Sequence, residues 1–148
     1  MTTYIELCQY FEAIGGDVAG IGSITVGADE QTLDAQSGLI TYPHFRVDTP
    51  EITFLNDDAA DQITQFRFKM FLITNEPLND YKQENTKLSA MLTLLKKIYK
   101  QIWKDADDGQ FDLVVSPNTG DAIRHWSGDN CFGWFVNITI NLYTADCT

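Results

Sequence analysis

The stretch from Cys131 to Tyr143, CFGWFVNITINLY, decides the fold because apolar side chains occupy its even positions and mostly small or polar ones its odd positions. This alternation with a period of two predicts a β-strand that buries one face. A strand of this length would span roughly 40 Å, about twice the usual value. The excess length suggests that the strand extends past the core of one small domain and pairs across a subunit boundary.

A second stretch, QITQFRFKMFLIT from Gln62 to Thr74, matches the first in length and alternation. Arg67 and Lys69 fall on one face among two apolar residues. The other face is formed by Phe66, Phe68, Met70 and Leu72. The two long strands either form the spine of one antiparallel sheet or project from the domain as arms, and the sequence leaves both arrangements open.

Two helices are predicted. Thr3 and Glu6 have the spacing of a capping box, which opens a short amphipathic helix that the glycine pair Gly15-Gly16 ends. A capping pair at Asp80 and Gln83 precedes the best helical pattern in the chain. That long amphipathic helix runs from Tyr81 to Lys104, and its stripe of leucine, isoleucine, methionine and tyrosine indicates one buried side.

Shorter strands complete the order of elements. They are predicted at Ile21–Val26, Leu39–Val47, Glu51–Leu55, Phe111–Val115 and Ile123–Trp126. Pro43 lacks an amide donor, so we expect its strand to be an edge strand or a bulged one. The order of helix, four strands, long helix and three strands favours an α+β fold: a mainly antiparallel sheet with both helices packed on one face. We expect one domain over residues 1–148, with loops or β-arms at 28–38, 56–62 and 127–131.

The charge of the chain restricts its partners. With 21 acidic and 10 basic residues the net charge is −11, and no basic footprint for gripping DNA or an anionic membrane lies outside the long helix. Its lysines are interpreted as partners of the helix dipole: Lys96, Lys97, Lys100 and Lys104. The excess acid either keeps the protein soluble or forms a wall that repels DNA sliding past it.

The sequence contains neither a secretory signal nor an apolar run long enough to cross a bilayer, so we expect synthesis in the cytoplasm and no membrane partner. Its three cysteines have unrelated spacings, which predicts reduced thiols. His125 and Cys131 are close in sequence, but their flanks match no cysteine-protease pattern. No zinc, calcium or phosphate-loop spacing is satisfied, and a non-enzymatic protein without cofactors is expected.

The element order resembles the small tail-terminator and tail-completion proteins of tailed bacteriophages and related rings of the virion neck. The resemblance covers the chain from Tyr4 to Tyr143, and its nearest local match is FDLVVSP…IRHWSGDNCFGWFVNITINLY in 111–143. It implies an α+β subunit of a virion ring, usually a hexamer, that caps the tail tube or joins it to the capsid connector. DNA would pass through such a ring without specific binding. Four strands before the long helix depart from that family's pattern.

Two groups of residues are candidates for ring contacts. The first is an acidic loop that would face the lumen or an interface, with Asp105, Asp107 and Asp108. The second is the polar face of the long strands, with Arg67, Lys69, Asn137, Thr139 and Asn141. Two other functions stay open: a small acidic adaptor of the immunity-protein kind that meets a basic partner, and a domain that holds a small ligand beneath the long helix. The aromatic residues of such a pocket would be Tyr99, Trp103, Trp126 and Trp134.

Overall fold

The computed structural model describes residues 1, 3–27, 40–55, 62–75, 81–114, 118–126 and 131–144. Their helices and strands, in chain order, are α1 (Tyr4–Asp17), β1 (Ser23–Val26), β2 (His44–Val47), β3 (Glu51–Phe54), β4 (Gln62–Thr74), α2 (Tyr81–Asp107), β5 (Asp112–Leu113), β6 (Gly120–Trp126) and β7 (Cys131–Thr144). The strands form one mixed, mostly antiparallel sheet, and the predicted α+β class is confirmed.

The two long strands are the centre of that sheet. β4 and β7 pair antiparallel along their whole length, from Gln62 opposite Thr144 to Thr74 opposite Phe132. β2 and β3 pair one after the other along the free side of β4, and β6 and β5 do the same along β7. β1 adds a parallel pair beyond β2. Because each long strand supports two short ones, its length is used within the subunit, and length alone does not indicate pairing across a subunit boundary.

The main core lies between the helices and one face of the long strands. The even-numbered side chains of β7 that were predicted to be buried include Ile138, Ile140 and Leu142, all at most 1% exposed. They lie beside the apolar face of β4 and against the stripe of α2 and one side of α1. The buried residues of the helices are Leu7, Phe11, Ile14 and Gly15 in α1 and Leu88, Met91, Leu95, Ile98 and Ile102 in α2. Both helices therefore pack on one face, as expected.

The first helix begins as predicted but ends later. The Thr3 hydroxyl accepts a hydrogen bond from the Glu6 amide, and the Glu6 carboxylate accepts one from the Thr3 amide, which together form the capping box. The glycine pair does not stop the helix, which continues to Asp17. A Cβ on Gly15 would lie 2.8 Å from the Phe45 ring, so this glycine allows α1 to approach the sheet closely. Close packing is the physical reason for the glycine.

The expectation for the strand around Pro43 was also wrong. The proline precedes β2, which starts at His44 and lies between β1 and β4 instead of at an edge. The missing amide therefore costs no hydrogen bond of the sheet, and the Pro43 carbonyl accepts one from the Gly22 amide at 2.8 Å.

The other boundaries shift by a few residues. The first short strand begins at Ser23, α2 continues to Asp107, β5 is limited to Asp112–Leu113, and β6 begins at Gly120. Of the predicted loops, 28–38, 56–61 and 127–130 lie outside the described residues, whereas Gln62 and Cys131 begin β4 and β7. Asp80 and Val115 also lie outside them.

Candidate interaction surfaces

The sheet face opposite the helices has a buried half and an open half. In the buried half, Phe71, Ile73 and Cys131 are enclosed together with the neighbouring rings of Tyr42 and Phe135. In the open half, the two long strands present polar side chains to solvent. The alternation therefore continues through both halves, but only one of them is a free surface.

The open half contains the polar strand residues that the sequence predicted as contacts. Arg67 lies opposite Thr139, and Lys69 lies opposite Asn137. They belong to a polar groove of about 400 Å³ lined by Asp48, Thr49, Glu51, Arg67, Phe68, Lys69, Asn137 and Thr139. Asn141 lies beyond this groove, where it accepts a hydrogen bond from the Gln65 amide and donates one to Asp112. Four of the five predicted residues are thus brought together.

The charges of the polar groove are paired only weakly. The Arg67 guanidinium is 3.8 Å from the Glu51 carboxylate, and both side chains are mostly exposed. The Lys69 ammonium lies 6.0 Å from the centre of the Phe135 ring. Exposed pairs of this kind contribute roughly 0–1 kcal/mol, so both cations can exchange their partners for those of another molecule at little cost.

The predicted acidic loop is the end of α2 and does not present one acidic surface. Asp105 accepts hydrogen bonds from the Tyr10 hydroxyl at 2.7 Å and from the Gln101 amide at 2.8 Å, which joins α1 to α2. Burial, followed by this contact with Asp105, raises the pKa of Tyr10. Asp107 and Asp108 are exposed. Two of the three aspartates are therefore open to partners, whereas the third has a structural contact.

A polar pair lies on β1 and β2, with His44 buried and Ser23 half-buried, and the sequence patterns gave no sign of it. The His44 Nδ1 atom is 2.6 Å from the Ser23 hydroxyl, because the parallel pairing of the two strands sets these residues side by side. Arg46, two residues along β2, forms an ion pair with Asp48. Burial, followed by the nearby Arg46 charge, lowers the pKa of His44 to about 4. His44 is therefore neutral at pH 7.

The cysteine and histidine that were considered for catalysis do not form a described site. The Cys131 thiol is buried and lies 3.4 Å from the Tyr42 hydroxyl. The His125 side chain lies outside the described part of the structure. Within the described ranges, no three His, Cys, Asp or Glu side chains are grouped closely enough to hold a metal ion. In the same ranges no helix is long and apolar enough to cross a membrane.

An exposed apolar edge is a second feature that the sequence patterns did not reveal. Ile52, Phe54 and Leu55, in and just after β3, are 54%, 67% and 46% exposed. We call these three residues the β3 edge. β3 pairs with β4 on one side, and no described strand pairs with its other side. The apolar run ITFL was visible in the sequence, but its exposure depends on which elements cover this end of the sheet.

An apolar cleft lies between α2 and the β6–β7 part of the sheet, across the β4–β7 pair from β3. Its volume is about 250 Å³, and its lining residues are Leu92, Leu95, Lys96, Tyr99, Asn118, Gly120, Trp134, Phe135 and Val136. Two of the four aromatic residues expected around a ligand, Tyr99 and Trp134, lie here. The Tyr99 hydroxyl accepts a hydrogen bond from the Asn118 amide at 2.6 Å, and the Trp134 indole donates one to the Leu88 carbonyl at 2.7 Å. Trp103 contacts Tyr99 and is not in the lining, and the Trp126 side chain lies outside the described part.

Comparisons with known proteins assign no family. No protein-family model matches the sequence, and no curated protein matches it as a relative. The geometry of the chain itself therefore carries the functional conclusion.

Proposed function

We propose that this protein is the subunit of a homo-oligomeric ring in the virion of a tailed bacteriophage, at the tail end or the head–tail junction, through which DNA passes without specific binding. A hexamer is the favoured assembly. The β3 edge is the observation that carries the proposal, because it combines three exposed apolar side chains with a side of β3 that no strand in the described ranges pairs.

Such an edge is a surface for association. A strand with one unpaired side offers free backbone donors and acceptors, and proteins that remain monomeric usually protect it with charges, proline or a cover. Exposed apolar side chains that cluster in one place mark an interface in the same way. Here Phe54 and Ile52 occupy alternate positions and point to the same side of β3. Both features support a subunit that works in contact with another protein.

The charge supports the choice of a DNA conduit over a DNA-binding protein. A net charge of −11 lowers the affinity of any wall of this protein for phosphate. A ring around moving DNA requires that lack of affinity. A head or tail ring also meets other virion proteins above and below, and we propose neighbouring tail-tube or connector proteins as these partners.

Two measurements test the proposal. Native mass spectrometry and electron microscopy of the purified protein should show closed rings of six or more subunits with an axial opening. Mass spectrometry of phage particles from the corresponding infection should detect the chain in the virion. A monomer at all concentrations that is absent from particles would overturn the proposal. A monomer that captures a basic protein would support the acidic adaptor instead.

The apolar cleft favours a second candidate function, the binding of a small ligand beneath the long helix. Its lining is mostly apolar, and the exposed Lys96 contributes a cation to it. The cleft is nevertheless smaller than the roughly 300–1,000 Å³ of typical small-molecule sites. A monomer that purifies with a bound small molecule would favour this function over the ring.

A further inference from the structure

We infer that Phe54 of one subunit inserts into the apolar cleft of the next, so that a second copy of this chain is the occupant of the cleft. This inference rests on the proposed ring, and it names the two surfaces that would form the subunit contact. One surface is the β3 edge, whose apolar side chains are exposed, and the other is the apolar cleft beside α2. Both belong to every subunit.

The positions of the two surfaces suit a head-to-tail contact. β3 lies beside β4, whereas the cleft is bounded by β7, β6 and α2 on the far side of the β4–β7 pair. Phe54 pairs with Thr64 of β4, which in turn pairs with Leu142 of β7, whereas the cleft lies at Trp134–Val136 of β7. Measured along β7, the two surfaces are therefore roughly 20 Å apart. Because they are different patches, their contact is heterologous, and repeated heterologous contacts form a ring when the rotation between subunits closes and an open filament when it does not.

The cleft has the size and chemistry for an aromatic side chain. An apolar cavity of roughly 150 Å³ accommodates one benzene molecule, so a cleft of about 250 Å³ has room for a phenyl ring and part of the neighbouring chain. Lys96 has no ion-pair partner among the described carboxylates, and an ammonium group over an aromatic face is attractive. The hydrogen-bonding groups of Tyr99 and Trp134 already have partners, so an apolar occupant leaves neither unsatisfied.

Charged substitutions in the two surfaces provide the test. Phe54→Asp removes the projecting ring, and Leu92→Glu places a carboxylate in the cleft. Leu94→Glu is the matched control, because Leu94 is a half-buried leucine of the same helix that does not line the cleft. We expect the first two variants to be monomers by native mass spectrometry and the control to assemble like the unmodified protein. Circular dichroism and thermal unfolding check that each variant is folded.

Mixing the variants makes the test specific. The Leu92→Glu variant retains Phe54, and the Phe54→Asp variant retains the cleft, so an equimolar mixture should form one contact and stop at a heterodimer. If β3 instead pairs with β3 of another copy, the Leu92→Glu variant, whose β3 is unchanged, associates by itself without the second variant, and the inference is overturned. Normal ring assembly by folded Leu92→Glu protein would overturn it as well.

The outcome for the unmodified protein separates this inference from the proposed function. Rings that tolerate both substitutions leave the function standing and remove the contact. Failure of unmodified protein to assemble at any concentration removes the proposed function and the contact together. If Leu92→Glu does not fold, Lys96→Trp takes its place. Lys96 is exposed, so a larger side chain there narrows the cleft without disturbing the core, and the same results are expected.

Discussion

The two ends of the β4–β7 pair have similar apolar sequences nearby, but the apolar side chains are buried at one end and exposed at the other. At one end Leu72 and Met70 are fully buried beneath the helices, and Phe71 and Ile73 are covered on the opposite face. At the other end the adjoining β3 edge exposes its apolar side chains to solvent. Apolar character alone therefore does not mark the core of this protein. The cover supplied by other elements decides whether a side chain stabilises the subunit or is free to bind a neighbour.

The largest effect is expected from a charge in the core of the long strands. Ile138→Asp places an unpaired carboxylate at a position that is 0% exposed, which costs several kcal/mol and should leave the subunit unfolded. Thr139→Asp is the control, since the neighbouring side chain lines the polar groove on the other face, opposite Arg67, and its replacement should change the free energy of unfolding by about 1 kcal/mol or less. Chemical denaturation measures both. Equal stability of the two variants would contradict the assignment of the buried face.

A smaller effect is expected from pH at the buried histidine. The pKa of His44 falls from 6.5 to about 4 on folding, so the unfolded chain binds the proton more tightly than the folded one. The contribution of His44 to stability is therefore most favourable above pH 6.5, and it decreases by roughly 3 kcal/mol as the pH falls to 4. His44→Gln should flatten this part of the profile of unfolding free energy against pH. Parallel profiles for both proteins would show that His44 does not titrate in this way.

Two adjacent glycines in α1 should respond in opposite directions. A Cβ at Gly15 would meet the Phe45 ring, and Gly15→Ala should lower the free energy of unfolding by roughly 1–3 kcal/mol. At Gly16 the nearest described atom would be 4.0 Å away, so Gly16→Ala should raise it by about 0.5–1 kcal/mol through helix propensity. Urea unfolding of the pair gives the comparison. A stabilising Gly15→Ala would mean that α1 does not approach the sheet as closely as described.

The long strands could be predicted from the sequence to within a residue, because an alternation of period two is a local property. Their pairing with one another could not be predicted, since two strands that project as arms would show the same alternation as two strands paired at the centre of a sheet. The proximity of Ser23 and His44 depends on the register of β1 with β2, which no local pattern encodes. The exposure of Phe54 is decided by where the helices end over the sheet. Two of the predicted acidic residues and most of the polar strand residues are open to partners, and the β3 edge was missed because its apolar run resembles a core strand.

The β3 edge itself should contribute least to the stability of the subunit and most to its assembly. Phe54→Asp should change the free energy of unfolding of the isolated subunit by no more than about 0.5 kcal/mol, because the side chain is 67% exposed. Tyr81→Asp is the matched control, with an aromatic side chain that is 66% exposed at the start of α2. The most direct measurement is the mass in solution of these two variants beside the unmodified protein. We expect rings for the unmodified protein and for Tyr81→Asp, and folded monomers for Phe54→Asp. Rings of unchanged size in folded Phe54→Asp would show that the β3 edge is not the subunit contact.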